Sequence, residues 1–353
     1  MKKELLIGTA LVSTLGAASV AEAVTATMSG NHQTGLEFDS PTGGTDTKAQ
    51  VNDNNFTVSL SETTDGGITI SSSFMLMNES GGGSSDEDAG FTLAFSDGSK
   101  LDVLNAGNAS GSHDISIPAS AGAEGVTVTT ANKAPTGLDF AASSTVYGVE
   151  YHTADDFLAD GLKMSFSFST DDGAANAATY AQDGHYGLGA TYVTDLGDTA
   201  VTIGAGYSST DGGTTGVSPT NDENGMHLGI SAVTGDLTVA VGFADGDDIV
   251  SVATTTALNT EVDGEVVKAG VKYVTGDLTF NVGVTSGEGQ DSHTMGTQGT
   301  TEDAYDKTSA SVSYAVASGV TAILGYSDIE SQNEGAADSK DGSAWFIGAN
   351  MSF

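Results

Sequence analysis

From Val24 onward, apolar and small polar residues alternate with period two, and no segment carries an apolar stripe of helical period. Such alternation sends successive side chains to opposite faces of an extended strand. Met164, Phe166 and Phe168 alternate with Lys163, Ser165, Ser167 and Ser169. Val201, Ile203, Ala205 and Tyr207 alternate with Thr202, Gly204 and Gly206. Leu237 to Phe243 and Leu278 to Val284 repeat the pattern, and Trp345, Ile347, Ala349, Met351 and Phe353 close the chain in it. The pattern predicts sixteen strands: 24–38, 56–62, 67–78, 90–96, 99–105, 145–152, 161–169, 184–193, 199–208, 224–234, 236–244, 265–275, 277–286, 305–316, 319–327 and 343–353.

One face of each strand is apolar and the other is Ser, Thr, Gly, Asn or Lys. A soluble sandwich buries its apolar faces against each other, whereas a membrane barrel turns them to lipid and keeps the polar faces around a wet lumen. The connections separate the two. Short turns such as Asp97-Gly98, Gly235-Asp236, Gly276-Asp277 and Ser318-Gly319 alternate with long polar loops over 39–55, 79–89, 106–144, 170–183, 209–223, 245–264, 287–304 and 328–342. An even strand count with short turns at one end and long loops at the other is what an outer-membrane barrel needs. Closure also leaves no unpaired edge in lipid. The expected fold is therefore all-β: a 16-stranded antiparallel transmembrane β-barrel with short periplasmic turns and long extracellular loops. Tyr151, Tyr192, Tyr207, Tyr273, Tyr314 and Tyr326, taken as a set, fit an interfacial girdle.

The first 23 residues break the pattern. Lys2 and Lys3 precede an apolar run from Leu5 to Ala21, and Ala21-Glu22-Ala23 offers small residues at the two signal-peptidase subsites. Residues 1–23 read as a removable secretory signal peptide and residues 24–353 as the barrel.

Charge sharpens the picture. The chain has 353 residues, 47 acids against 10 bases and a formal charge of -37; every base is lysine, and there is neither arginine nor cysteine. An excess of acid repels phosphate backbones and excludes nucleic-acid binding. Lack of cysteine excludes disulfides and thiolate chemistry. High acidity with few aromatics otherwise suggests disorder, but a barrel that buries its apolar half in lipid needs no dense core. The six histidines (His32, His113, His152, His185, His227 and His293) are scattered, and no HExxH, GxSxG or Walker pattern occurs, so no enzyme activity and no cofactor are expected. Acid clusters at Asp86 to Asp88, Asp245 to Asp248 and Asp263 to Glu265 are solvated loops or loose holders of Ca²⁺ or Mg²⁺.

The segments Ala315–Glu330 (AVASGVTAILGYSDIE) and Asp341–Phe353 (DGSAWFIGANMSF), with Phe56–Phe74 and Asp160–Ser169, resemble general-diffusion porins of Gram-negative bacteria, in particular the sixteen-stranded porins of Rhodobacter-type alphaproteobacteria. The resemblance covers essentially all of the chain after Val24. It implies a homotrimer in the outer membrane, in contact with lipid and lipopolysaccharide, passing small hydrophilic solutes and ions. It also implies that the terminal strand, with Trp345, Ile347, Met351 and Phe353, is the signal read by the barrel assembly machinery. In such porins the third external loop enters the lumen. Here that loop is 106–144, which places some of Asp114, Glu124 and Asp139, with Lys133, at a constriction.

The family's usual constriction opposes loop acids with clustered arginines, and this chain has none. Strand parity makes Lys100, Asp102, Glu150, Lys163, His227, Lys268 and Lys272 the ionisable residues of the lumen. Lys268 and Lys272, four apart on one strand and about 13 Å from each other, either form part of a positive wall or stand solvated without a partner. Acids around a pore mouth concentrate cations, so the sequence predicts a cation-preferring channel. The competing expectation is a secreted, acidic surface or adhesive β protein held by divalent ions.

Overall fold

The computed structural model describes residues 24–78, 90–104, 108–120, 123, 126, 148–169, 184–211, 214–215, 218–219, 223–251, 259–289, 303–332 and 340–353. Residues 1–23, with Ala21 and Ala23, lie outside them. Among the described residues no helix is long and apolar enough to cross a membrane.

Sixteen strands close into one antiparallel barrel. They are β1 (Thr25–Pro41), β2 (Thr47–Thr63), β3 (Thr69–Asn78), β4 (Phe91–Ala94), β5 (Lys100–Val103), β6 (Gly148–His152), β7 (Leu162–Ser169), β8 (Gly184–Leu196), β9 (Thr199–Asp211), β10 (Glu223–Thr234), β11 (Leu237–Ser251), β12 (Asn259–Thr275), β13 (Leu278–Gly289), β14 (Asp303–Ala317), β15 (Val320–Gln332) and β16 (Lys340–Ser352). Each pairs with its chain neighbour, and β1 pairs with β16 to complete the ring. A two-residue ladder, Thr214–Thr215 with Ser218–Pro219, stands apart in the β9–β10 connection.

The alternation read from the sequence sorts the two faces. Leu228 and Ile230, Val239 and Val241, Val282 and Val284, and Trp345 and Ile347 are exposed on the outside. Their alternates turn inward, where Ser165, Ser309 and Ser327 are buried. Exposed apolar residues in most of the long strands call for lipid as their partner, and sixteen strands leave an aqueous bore. Tyr192, Tyr273 and Tyr314 face outward near the short turns. Tyr207 faces outward toward the loop end, and Tyr326 packs its ring 4.4 Å from that of Trp345. The short turns use glycine where L side chains fit poorly: Gly235 and Gly276 hold φ of 55° and 58° at the first central position of two-residue hairpins.

Two expectations need correction. The connection expected over 39–55 is a tight turn over 42–46, because β1 and β2 pair as far as Asp39↔Thr47. Likewise β11 and β12 climb to Ser251 and Asn259, into the expected loop 245–264. Hydrophobic alternation fades where both faces meet water, but the backbone ladder continues beyond the bilayer.

The second correction follows from the first. Asp245, Glu288, Glu330 and Asp341, expected in loops, sit on strands and face outward near the loop end: Asp245↔Glu265↔Glu288 and Asp306↔Glu330↔Asp341 are cross-strand rows on the lipid-side face. Part of the acidity therefore surrounds the barrel rather than its bore. Asp86 to Asp88 lie outside the described residues.

Candidate functional site

The connection from β5 to β6 turns into the barrel. Leu104 takes a left-handed φ of 59° where the chain leaves the wall, and its amide still donates to Gly148 O at 3.0 Å. Residues Gly111–His113 form a single 3₁₀ turn, closed by His113 N donating to Ser110 O and Asp114 N to Gly111 O, both at 3.1 Å. The chain then extends to Pro118 and turns again through Ala119 (φ 57°).

This segment runs along the inner wall over a lane of glycines. Side chains built at these glycines would meet it in order: Gly187 against Asn108 and Ala109, Gly189 and Gly204 against His113, Gly229 against Ile115, and Gly270 and Gly283 against Pro118 and Ala119 would all overlap it, while Gly242 would only touch Ile117 at 3.4 Å. Gly189↔Gly206, Gly204↔Gly229, Gly229↔Gly242 and Gly270↔Gly283 are direct cross-strand pairs. Six strands, β8 to β13, thus give up a lumen side chain to let the segment lie close. Ile115 and Ile117 fill the space with Ala240 as a small apolar core.

Hydrogen bonds pin the segment at both ends. Ala109 N donates to Ser167 Oγ at 2.9 Å, and His227 Nε2 donates to Ser110 O at 2.7 Å. Farther round the ring, Thr285 Oγ1 donates to Ser120 O at 2.9 Å and Ala123 N to Ser327 Oγ at 3.2 Å. The segment therefore reaches from β7 to β15.

At its first turn it meets a polar cluster on β5, β6 and β7. Ser112 Oγ donates to Glu150 Oε1 at 2.6 Å. His113 Nε2 lies 2.8 Å from Ser165 Oγ, and its Nδ1 lies 2.7 Å from Thr191 Oγ1. Ser165 Oγ also lies 2.8 Å from His152 Nδ1, whose Nε2 is 2.9 Å from Asp102 Oδ2. A cavity of about 670 Å³ opens beside the cluster, lined by Lys100, His152, Asp155, Lys163 and Thr191 among others.

Burial of the His113 ring lowers its pKa to about 4, helped by the nearby charges of His152, Lys163 and His227. An unfolded histidine titrates near 6.5. Between those values the unfolded chain takes up a proton that the folded chain refuses. The stability contributed by neutral His113 is therefore complete above pH ~6.5 and lost as pH falls through about 4. Lowering pH from 7 to 4 should reduce the melting temperature of the folded band on semi-native gels more in wild type than in His113→Asn. Equal reductions would show that His113 carries none of it.

Lys100, Asp102, Glu150, Lys163, His227, Lys268 and Lys272 lie on the inward-facing alternation of their strands. Lys163 pairs with Asp155 at 3.5 Å. Asp114 sits on the inserted segment, more than half exposed and 3.7 Å from His227 Nδ1. Glu124, Lys133 and Asp139 lie outside the described residues. The lysines fall on two walls, Lys100 and Lys163 on β5 and β7, Lys268 and Lys272 on β12, seven strands from β5 around the ring. Lys307, missed in the sequence reading, joins the second wall in one row with Lys268 through Thr285. Parity with Tyr314 and Val316 on β14 was enough to find it. His113, His152 and Ser165 were also missed; only the fold brings them together. Glu37, Asp39 and Asp53 complete the lumen acids of β1 and β2.

The comparisons with known proteins agree with this geometry. A porin structure refined at 1.8 Å resolution is 18% identical, with a TM-score of 0.62, and the match covers 93% of this chain and all of that one. An anion-selective porin from Comamonas acidovorans is 12% identical with a TM-score of 0.64, over 94% of this chain and all of its own. OmpT, an outer membrane protein of Vibrio cholerae in trimer form, is 14% identical with a TM-score of 0.63 over the same shares. No curated protein matches the sequence. The Gram-negative porin model matches residues 8–334, nearly the whole chain, and with the closed sixteen-strand ring it places this protein in the Gram-negative porin family, as a channel-forming barrel of the outer membrane rather than an enzyme.

Proposed function

We propose that this porin is a homotrimeric, passive diffusion channel for small hydrophilic solutes that favours cations, and that residues 108–126 belong to its constriction. The supporting observation is the balance of charge. Five described lysines face the bore (Lys100, Lys163, Lys268, Lys272 and Lys307), against Glu37, Asp39, Asp53, Asp102, Glu150 and the loop residue Asp114. Among these residues charge is nearly balanced, so most of the chain's excess of acid belongs to the connections and the strand ends around the mouth, where it enriches cations. No arginine exists to build an anion-attracting strip. The related Comamonas channel is anion-selective, so the family alone does not set the sign. The trimer follows the trimer form of OmpT. In the same reading, signal peptidase removes residues 1–23 at Ala21 and Ala23, and the assembly machinery reads the strand ending in Phe353.

Planar-bilayer recordings in asymmetric KCl test the sign: the reversal potential should indicate cation preference, with current closing in three equal steps. Asp114→Asn should reduce the preference more than Asp245→Asn with Glu265→Gln, because those two face away from the bore. Anion selectivity would overturn the reading, and equal effects of the two changes would remove Asp114 from the constriction.

A further inference from the structure

We infer that Asp102, Glu150 and His152 form a binding site for a borderline divalent metal ion, of the Zn²⁺ class, on the lumen wall. The three residues arise from one hairpin-like pairing: Asp102 on β5 lies directly opposite Glu150 on β6, and Lys100 opposite His152. Their ligand atoms all lie within 4.8 Å of one another. His152 Nε2 is 2.9 Å from Asp102 Oδ2 and 3.6 Å from Glu150 Oε1. A tetrahedral ion with bonds of about 2.0 Å holds its ligands roughly 3.3 Å apart. The two separations bracket that value, and with the two carboxylates also within 4.8 Å of each other, side-chain rotation brings all three ligands onto one ion.

Charge gives the second argument. Like charges directly opposite on neighbouring strands repel, and Glu150 is only 2% exposed. Among the described residues, the one ion-pair partner of both carboxylates is the His152 imidazole. Two carboxylates thus share one imidazole. Lys100, two residues from Asp102, acts on it from a distance without an ion pair among the described residues, and Lys163 on β7 is engaged by Asp155. A divalent ion neutralises the pair.

The hydrogen-bond chain supplies the third. It allows two proton arrangements. In one, His113 Nε2–H donates to Ser165, Ser165 to His152 Nδ1, and His152 Nε2–H to Asp102. In the other, His152 Nδ1–H donates to Ser165 and Ser165 to His113 Nε2, the bond to Asp102 is given up, and His152 Nε2 presents a bare lone pair beside two carboxylate oxygens. A metal ion selects the second. Ser165 then fixes the ring orientation through Nδ1–H, as outer partners of metal-bound histidines do. Thr92 Oγ1 donates to Asp102 and Ser112 Oγ donates to Glu150, orienting both carboxylates. His152 also lines the 670 Å³ cavity, which gives an ion a path in and leaves room for water at the remaining position. A nitrogen ligand favours zinc, nickel or copper over calcium or magnesium, which take oxygen.

Equilibrium dialysis of the refolded porin against ZnCl₂ in excess Mg²⁺ tests this without reference to transport. One zinc per chain is expected, with affinity reduced at least about tenfold in His152→Gln and in Asp102→Asn. The unboiled gel band checks that each variant folds, and either folded variant suffices. Zinc added to a bilayer should also lower cation current through wild type, with the effect lost in the same variants. The proposal fails if wild type binds no zinc, if excess Mg²⁺ removes it, or if the variants bind as well as wild type. Cation preference is independent of these results.

Discussion

Valine at Gly204 and Gly270 should reduce single-channel conductance at least about twofold, because the pore narrows where a loop is pushed from the wall. A Cβ at Gly204 overlaps the carbonyl oxygen of His113, and one at Gly270 overlaps that of Pro118. Backbone atoms cannot rotate aside, so either the wall or the loop must shift. Overpacking of this kind costs about 1–3 kcal/mol. The wall is held by continuous ladders across β9, β10, β12 and β13. The loop is held between its pinned ends chiefly by Ile115 and Ile117 against the lane. Each of its hydrogen bonds contributes about 1 kcal/mol net. The loop therefore yields first, and its only free direction is toward the axis. Gly66→Ala, in a short turn with nothing closer than Thr64 at 3.9 Å, is the control and should conduct as wild type. Unchanged conductance in the valine variants, with normal folding, would show that the wall gives way instead.

Phe353→Ala should reduce the yield of folded barrel in cells at least about tenfold, while the heat stability of what does fold changes little. Phe353 is the last residue of the seam that closes the ring: its amide donates to Gly30 O, and Gly30 N donates back to its carbonyl, both at 3.2 Å. Its ring centroid lies 6.1 Å from that of Phe56. Truncating a buried phenylalanine costs about 3–5 kcal/mol, but this ring is 72% exposed, so the stability loss is a fraction of that. Both backbone bonds survive in the alanine variant. A large loss of yield with preserved heat stability would mark a role in recognition during assembly. Equal losses in yield and in heat stability would reduce Phe353 to a seam residue.

The strand count and the inward and outward faces were readable because period two is a local property. Met226, Leu228 and Ile230 need only a strand backbone to share a face, whatever that strand pairs with. Strand ends were less readable. Asp245 and Glu265 interrupt the apolar series, yet they pair with each other in the sheet, since hydrogen bonding does not require lipid. The lumen lysines of β5, β7 and β12 followed from parity, and Lys307 was available by the same rule. The metal-ligand cluster was not: Asp102 is separated from Glu150 by the entire third loop, and neither residue type nor spacing links them.

By itself the sequence determined the all-β barrel, the number of its strands, the family and the sign of the net charge, because these depend on periodicity, turn chemistry and composition. The tertiary structure decided the rest. It laid residues 108–120 along a lane of glycines that look like ordinary strand glycines in the sequence. It turned two rows of acids outward and brought Asp102, Glu150 and His152 within 4.8 Å. Each of these depends on register between strands, which is set by closure of the whole ring and by no single segment of it.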